Sequence, residues 1–244
     1  MTRPSFIYLP EVDSTSTWLK NHSEEVGLPA VVSTDCQTGG RGQRGNTWEA
    51  EPGKNLTFSM IFRPEGVLPA RQFFISEAVC LGVVDVLRRH LPQPESIRVK
   101  WPNDVYAGDR KICGILIEHT LDSATAIRHT VAGIGLNVNQ EIFLSSAPNP
   151  VSMLNITGVE TPLRPLLEEV VEAVFANLSE APEALHARYI GSLWRGTGEH
   201  PFATPDGERF DASICDIDPA GVLTLRRSDG STSRYLLKEV PFII

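Results

Sequence analysis

DCQTGGRGQRGNTW, residues 35–48, lies between AVVST at 30–34 and LTFSMIF at 56–62. Both flanks are short apolar runs and read as strands. The stretch between them is therefore a loop tethered at both ends to a sheet. Gly39, Gly40, Gly42 and Gly45 carry no side chain to hold the backbone away from a ligand, and consecutive N–H groups there can turn inward as an anion nest. Arg41 and Arg44 add planar charges that grip a carboxylate or phosphate through two donors. Trp48 stands at the exit, where an indole can cover a bound ring. A bare glycine-rich surface loop has the same composition. The strands on either side favour a loop that closes over a small anionic ligand.

Towards the N-terminus, Phe6 to Leu9 reads as a first strand. VDSTSTWLK follows, with Ser14 or Thr15 as helix N-cap before Trp18 and Leu19. Those hydroxyls also suit a polar ligand group, and spacing alone leaves both readings open. Towards the C-terminus, Ala70 to His90 reads as a helix, with Phe74, Ala78, Leu81, Val84 and Leu87 on one core-facing stripe. Pro92 and Pro94 end it.

IRVKWPNDVYAGDRKICGILIEH, residues 97–119, is a strand-like run broken at Pro102. Gly108-Asp109 is a hairpin turn signal, and the return strand brings Lys111 back towards Asp104. With Lys100 and Asn103 close in sequence, that set suits a metal-bound nucleotide; a charged solvent face around a hairpin is the plainer reading. Ala126 to Val138 reads as another strand, ending in GIGLNVN, where Gly133 and Gly135 permit close backbone approach and Asn137 offers a donor and an acceptor. Leu163 to Leu178 and Ala184 to Trp194 read as two amphipathic helices covering one sheet face. From Phe202 onward PDGERF, DPAGVLTL and SDGSTSRYLL alternate short strands with turns, which predicts a small antiparallel barrel. The expected architecture is α/β (α+β): a mixed β-sheet catalytic domain with flanking helices over residues 1–195, then a small SH3-like β-barrel over residues 196–244.

The net charge of −8, from 22 Lys+Arg against 30 Asp+Glu, argues against a bulk nucleic-acid binder. Mean hydropathy of −0.09 is that of an ordinary globule. The sequence shows neither a bilayer-spanning run nor the apolar core of a signal peptide, so a cytoplasmic protein is expected. Cys36, Cys80, Cys113 and Cys215 are scattered and read as reduced thiols. The six histidines lack metal-site spacing.

VDSTS, QTGGRGQRGNTW, KWPNDVY, RKICGILIE and GIGLNVN occur in this order, and in that combination the chain resembles the biotin–protein ligases over nearly its whole length, including the small C-terminal unit with LKEV near its end. The resemblance implies a two-step ligase that uses biotin and ATP as substrates with Mg²⁺. Biotin is first joined to the α-phosphate as biotinyl-5′-AMP, then passed to a lysine of a biotin carboxyl carrier domain. It further implies that Ser14, Thr15, Ser16 and Gln37 meet the ureido head of biotin. Gly40, Arg41, Gly42 and Gln43 would lie along the ligand, and Gly114, Gly133 and Gly135 would admit the biotin tail. Lys111, Arg41 and Asp104 would be the catalytic groups, with Asp104 also facing Mg²⁺. Arg41, Arg44, Trp48, Lys100, Asn103, Lys111 and Asn137 would hold ATP. Gln43 stands where many members carry a second arginine. Some members also carry an N-terminal DNA-binding domain; here the first motif begins at Val12, so no operator binding is expected. A homodimer stays open. The rival expectations are a lipoate or octanoate ligase of the same fold, and a non-enzymatic biotin-binding module.

Overall fold

A computed structural model describes residues 3–40, 42, 48–123, 126–144, 149–204, 206–236 and 239–243. Its larger sheet has seven strands in the order β1-β2-β3-β7-β6-β5-β4. These are β1 (Ser5–Val12), β2 (Ala30–Gln37), β3 (Leu56–Phe62), β4 (Ile97–Lys100), β5 (Asp104–Ala107), β6 (Arg110–Ser123) and β7 (Ala126–Leu136). Only β1 and β2 pair in parallel, so the sheet is mixed. The helices are α1 (Thr15–Asn21), α2 (Phe73–His90), α3 (Met153–Thr157), α4 (Leu163–Asn177) and α5 (Pro182–Gly191).

Strand parity decides what each face of the sheet holds. On β3, Leu56, Phe58, Met60 and Phe62 join the main core, while Ile61 joins a second, smaller core with Leu19 of α1. Successive side chains alternate faces, so Thr57 and Ser59 share the Ile61 face. α2 and α4 cover the opposite face, and α4 reaches the sheet where the Phe175 ring meets Phe62 edge-on at 5.9 Å.

α2 is buried on more than the single stripe its periodicity predicts. The sheet lies on one side and α4 and α5 on the other, so Ile75, Val79, Val83 and Val86 are buried as well, while Phe74 is only partly so. Gly82 allows this crowding: a Cβ there would stand 2.6 Å from Val174 Cγ2 of α4. The helix starts at Phe73 rather than Ala70, because Pro69–Arg71 forms a separate 3₁₀ turn. The last predicted helix ends at Gly191; beyond it Leu193 and Trp194 run beside β4, with Val99 N donating to Ser192 O and Trp194 N to Val99 O, each at 2.8 Å. α3, whose five residues leave little periodicity, is set by a Ser152/Asn155 capping box.

The second sheet is an antiparallel meander of β8 (His200–Ala203), β9 (Arg209–Ile217), β10 (Leu223–Arg226) and β11 (Thr232–Tyr235). The chain end returns to it, pairing Phe242 with Phe202. It touches the larger unit at its β9–β10 turn: Phe73 N donates to Pro219 O at 3.2 Å and Trp101 Nε1 to Gly221 O at 3.2 Å. Gly221, at φ +88°, has no room for a Cβ against the Phe73 ring. No helix among the described residues is long and apolar enough to cross a membrane.

Candidate active site

Register lays one row of residues across the face that α1 shares. Thr34 pairs with Thr57, Thr57 with Gly135, Gly135 with Gly114, Gly114 with Asp104, and Asp104 with Lys100. Directly opposed residues project to the same side of a sheet. The middle of the row is thus bare backbone, with threonines at one end and a carboxylate and an ammonium at the other.

At the threonine end, the Ser14 hydroxyl caps α1, accepting from Thr17 N at 3.3 Å. Gln37 Oε1 accepts from Thr15 N at 2.9 Å and from Thr15 Oγ1 at 3.2 Å. Ser59 Oγ lies 2.7 Å from Thr15 Oγ1 and 2.8 Å from Ser16 Oγ. Three hydroxyls, of Thr15, Ser16 and Ser59, and the Gln37 amide therefore gather where α1 meets the sheet. Gly133 is needed beside them, since a Cβ there would stand 2.6 Å from Ser16 Oγ.

At the other end, Lys111 Nζ lies 2.7 Å from Asp104 Oδ1, both side chains half-buried. The hairpin predicted from Gly108-Asp109 brings them together, aided by a bulge in the β5–β6 register between Val105 and Tyr106. The backbone of Lys111 is fixed by residues 149–151: its N–H donates to Asn149 O at 2.8 Å, and its carbonyl accepts from Val151 N at 2.9 Å.

The Trp48 indole lies over the bare middle. A Cβ on Gly114 would stand 2.9 Å from Trp48 Cζ3 and 3.3 Å from Lys111 Nζ, and one on Gly135 would be 2.6 Å from Trp48 Nε1. The sequence reading set this indole against the adenine; here it rests on the groove floor. Gly40 draws the loop ends together, accepting from Trp48 N at 3.3 Å, and a Cβ on it would stand 3.0 Å from Gln37 Nε2. Gly42 is partly buried. Arg41, Gln43 and Arg44 lie outside the described residues.

Among the described residues, Trp48 Nε1 and Asn137 Oδ1 are buried polar atoms without a hydrogen-bond partner. Asn137 Nδ2, by contrast, donates to Val151 O at 3.1 Å. Leaving such an atom unpaired costs about 1–3 kcal/mol, so the pair marks a place for a polar ligand.

Asn103 and Lys100 both have partners within the protein. Asn103 Nδ2 donates to Ile115 O at 2.8 Å, which ties the turn after β4 to β6. Lys100 Nζ donates to Tyr106 Oη at 3.2 Å and sits among aromatic rings. Burial lowers the Lys100 pKa, with Asp104 opposing and Lys111 and Arg195 reinforcing the shift. Burial also raises the Cys113 thiol, so that residue stays neutral in the core. Among the described residues no group of three His, Cys, Asp or Glu side chains converges on a metal position.

Sequence reasoning missed Ser59, whose signal was present: Thr57 and Ser59 alternate with Leu56, Phe58 and Met60 in an otherwise apolar strand. It also missed Trp194 and Phe242 beside Lys100, which no local pattern foretells.

The fold and groove define a mixed α/β protein whose larger sheet carries a glycine-floored groove, with hydroxyls at one end and a lysine–aspartate pair at the other. The chain belongs to the Biotin/lipoate A/B protein ligase family, whose pattern matches residues 8–137. It is 31% identical over 237 residues to the Biotin--[acetyl-CoA-carboxylase] ligase of Paracoccus denitrificans, covering 91% of this chain and 94% of that protein. Against the Bifunctional ligase/repressor BirA of Escherichia coli it is 37% identical over 134 residues, covering 55% of this chain and 40% of that protein. The chain thus spans about two fifths of the length of that relative. The biotin protein ligase from Aquifex aeolicus, solved in complex with biotin and ATP, has a TM-score of 0.78 at 24% identity, with 97% of each chain covered, and so shares the fold.

Proposed function

We propose that the protein is an ATP-dependent biotin–protein ligase acting on a biotin carboxyl carrier domain, with residues 1–195 as the catalytic unit and 196–244 as an appended unit. The observation that carries this reading is the Lys111–Asp104 pair, 2.7 Å apart at the charged end of a glycine-floored groove. The ureido head of biotin would lie among Ser14, Thr15, Ser16, Gln37 and Ser59, with its tail along Gly133, Gly135 and Gly114. That direction delivers its carboxylate to Lys111.

In the first step a carboxylate oxygen of biotin attacks the α-phosphorus of ATP, the bond to the bridging oxygen breaks, and pyrophosphate leaves. Two anions must meet, and the fixed ammonium of Lys111 offsets their repulsion as charge grows on the phosphoryl oxygens. Asp104 holds that ammonium in place. Arg41 would add a second cation, and Arg44 and Lys100 would meet the polyphosphate. Asn137 Oδ1 is an acceptor suited to the adenine amine, and Trp48 would move off the floor to cover the bound ligand. In the second step the carrier lysine amine attacks the acyl carbon, and AMP leaves. Covering the mixed anhydride keeps water from it.

The donor set at this end is a single carboxylate, Asp104, which suits Mg²⁺ held chiefly by phosphate oxygens. When bound, the ion neutralises part of the triphosphate charge.

The test is transfer of labelled biotin to a purified carrier domain, together with biotin-dependent ATP–pyrophosphate exchange. Wild type should do both, and Lys111→Ala should lose about a hundredfold or more in exchange, in line with removal of one preorganised electrostatic group. Exchange driven by lipoate or octanoate and not by biotin would overturn the reading.

A further inference from the structure

We infer that Phe242, near the end of the chain, is a positioning residue for Lys100: with Tyr106 and Trp194 it closes an aromatic box that fixes this ammonium at the end of the ligand row. The inference rests on the proposed nucleotide reading of the groove. It gives the appended unit a part in that site.

The geometry is built from both units. Lys100 Nζ stands 5.2 Å from the Tyr106 ring centre, 6.0 Å from that of Trp194 and 5.8 Å from that of Phe242. The rings support one another, Tyr106 to Trp194 at 5.3 Å and Trp194 to Phe242 at 5.5 Å. Two of them are anchored separately. Trp194 Nε1 donates to Asp109 Oδ1 at 3.0 Å. Phe242 is framed by Ala203 N on Pro241 O and Ile243 N on Pro201 O, each at 3.1 Å, and its ring lies 4.7 Å from that of Phe202. Arg195 stacks on Trp194 at 4.1 Å and donates to Ile243 O at 2.7 Å, clasping the two units together beside the box.

A lysine normally carries its ammonium out to water along its flexible stem. This one is held half-buried instead. Ring faces attract the cation without accepting its protons in ordinary hydrogen bonds. Tyr106 Oη accepts one of the three donors. The box therefore restrains the ammonium while leaving donors for an anion that arrives over Asp104 and Gly114. A purely structural aromatic cluster would be expected to exclude the ammonium, because desolvating an unpaired charge is costly.

The test compares Phe242→Leu and Phe242→Met, which lack the ring, with Phe242→Tyr, which keeps it. Two readouts are taken on the full chain. Trace reductive methylation followed by peptide mass spectrometry reports how exposed Lys100 is, whatever the protein's activity. Equilibrium dialysis reports the Kd for ATP and, separately, for biotin. Loss of one cation–π partner predicts Lys100 labelling and ATP Kd each rising about three- to tenfold in the Leu and Met variants. Biotin Kd should hold, Phe242→Tyr should behave as wild type, and Phe242→Leu should add nothing in a Lys100→Ala background. Unchanged Lys100 labelling in the ring-free variants, an equal effect of Phe242→Tyr, or full additivity with Lys100→Ala would overturn the inference. If wild type binds no ATP, the nucleotide reading falls, and labelling alone then decides whether the box exists.

Discussion

Gly114 and Gly135 face each other across β6 and β7, and the Trp48 indole rests on both. The contact leaves no room for a methyl group. Gly135→Ala should push the indole out of the groove and obstruct the ligand path. Overpacking of about 1–3 kcal/mol corresponds to roughly fivefold to 150-fold in affinity. The expected result is a biotin KM raised by at least about fivefold, with a shift in tryptophan fluorescence. An unchanged fluorescence spectrum together with a normal KM would show that the indole does not lie there.

Ser59 is the hub of the hydroxyl cluster, touching Thr15 and Ser16. Ser59→Ala leaves both with one partner fewer. Removing such a bond costs on the order of 1 kcal/mol, so biotin KM should rise about three- to tenfold while ATP KM holds. Steady-state exchange kinetics check this split; a rise confined to ATP KM would place the ureido head elsewhere.

Glu77 is 3% exposed on α2, with His186 Nδ1 of α5 at 2.6 Å. Desolvation raises its pKa above the ordinary 4.5, and the His186 hydrogen bond only partly opposes this. The folded state therefore keeps the proton at a pH where the unfolded chain has lost it. With more protons bound to the native state, stability falls as pH rises from about 4.5 through the raised pKa. Glu77→Gln retains an acceptor for His186 without the charge. Urea unfolding should show the variant gaining on wild type across that window and the gap closing below it. A gap that widens towards acid would contradict this.

Gln43 is uncharged, where the resemblance to biotin–protein ligases leads one to expect a second arginine. Gln43→Arg should hold the acyl-adenylate more tightly, slowing loss of biotinyl-AMP in a chase assay by about threefold or more, the size of one charge-assisted contact. Equal or faster loss would show that Arg41 and Arg44 already suffice.

What was legible in the chain is what local chemistry encodes. The strands flanking the glycine loop were visible because β2 and β3 are short apolar runs, and the Lys111–Asp104 meeting because Gly108-Asp109 makes a hairpin whose return strand is fixed by geometry. A cap at Ser14 or Thr15 is legible from their place before Trp18 and Leu19, and the structure puts it at Ser14. The illegible parts depend on contacts remote in sequence. The Asn103 Nδ2 bond to Ile115 O, which ties the turn after β4 to β6, is one that only the fold reveals. Tyr189 gave no sign that its hydroxyl would donate to Pro102 O at 2.7 Å and steady the turn bearing Lys100 and Asp104. Phe242 looked like an ordinary apolar residue near a chain end.

The alternation along β3 has an evolutionary consequence. Even and odd positions there answer to different demands: Leu56, Phe58, Met60 and Phe62 face the main core, while Thr57 and Ser59 face the groove and Ile61 the smaller core behind it. A single-residue insertion upstream in that strand would exchange them, sending Phe58 into the groove and Ser59 into the apolar core. Substitution can tune this pocket one position at a time, but length change within the strand cannot, so divergence among such proteins should collect in the connecting loops and leave strand lengths alone.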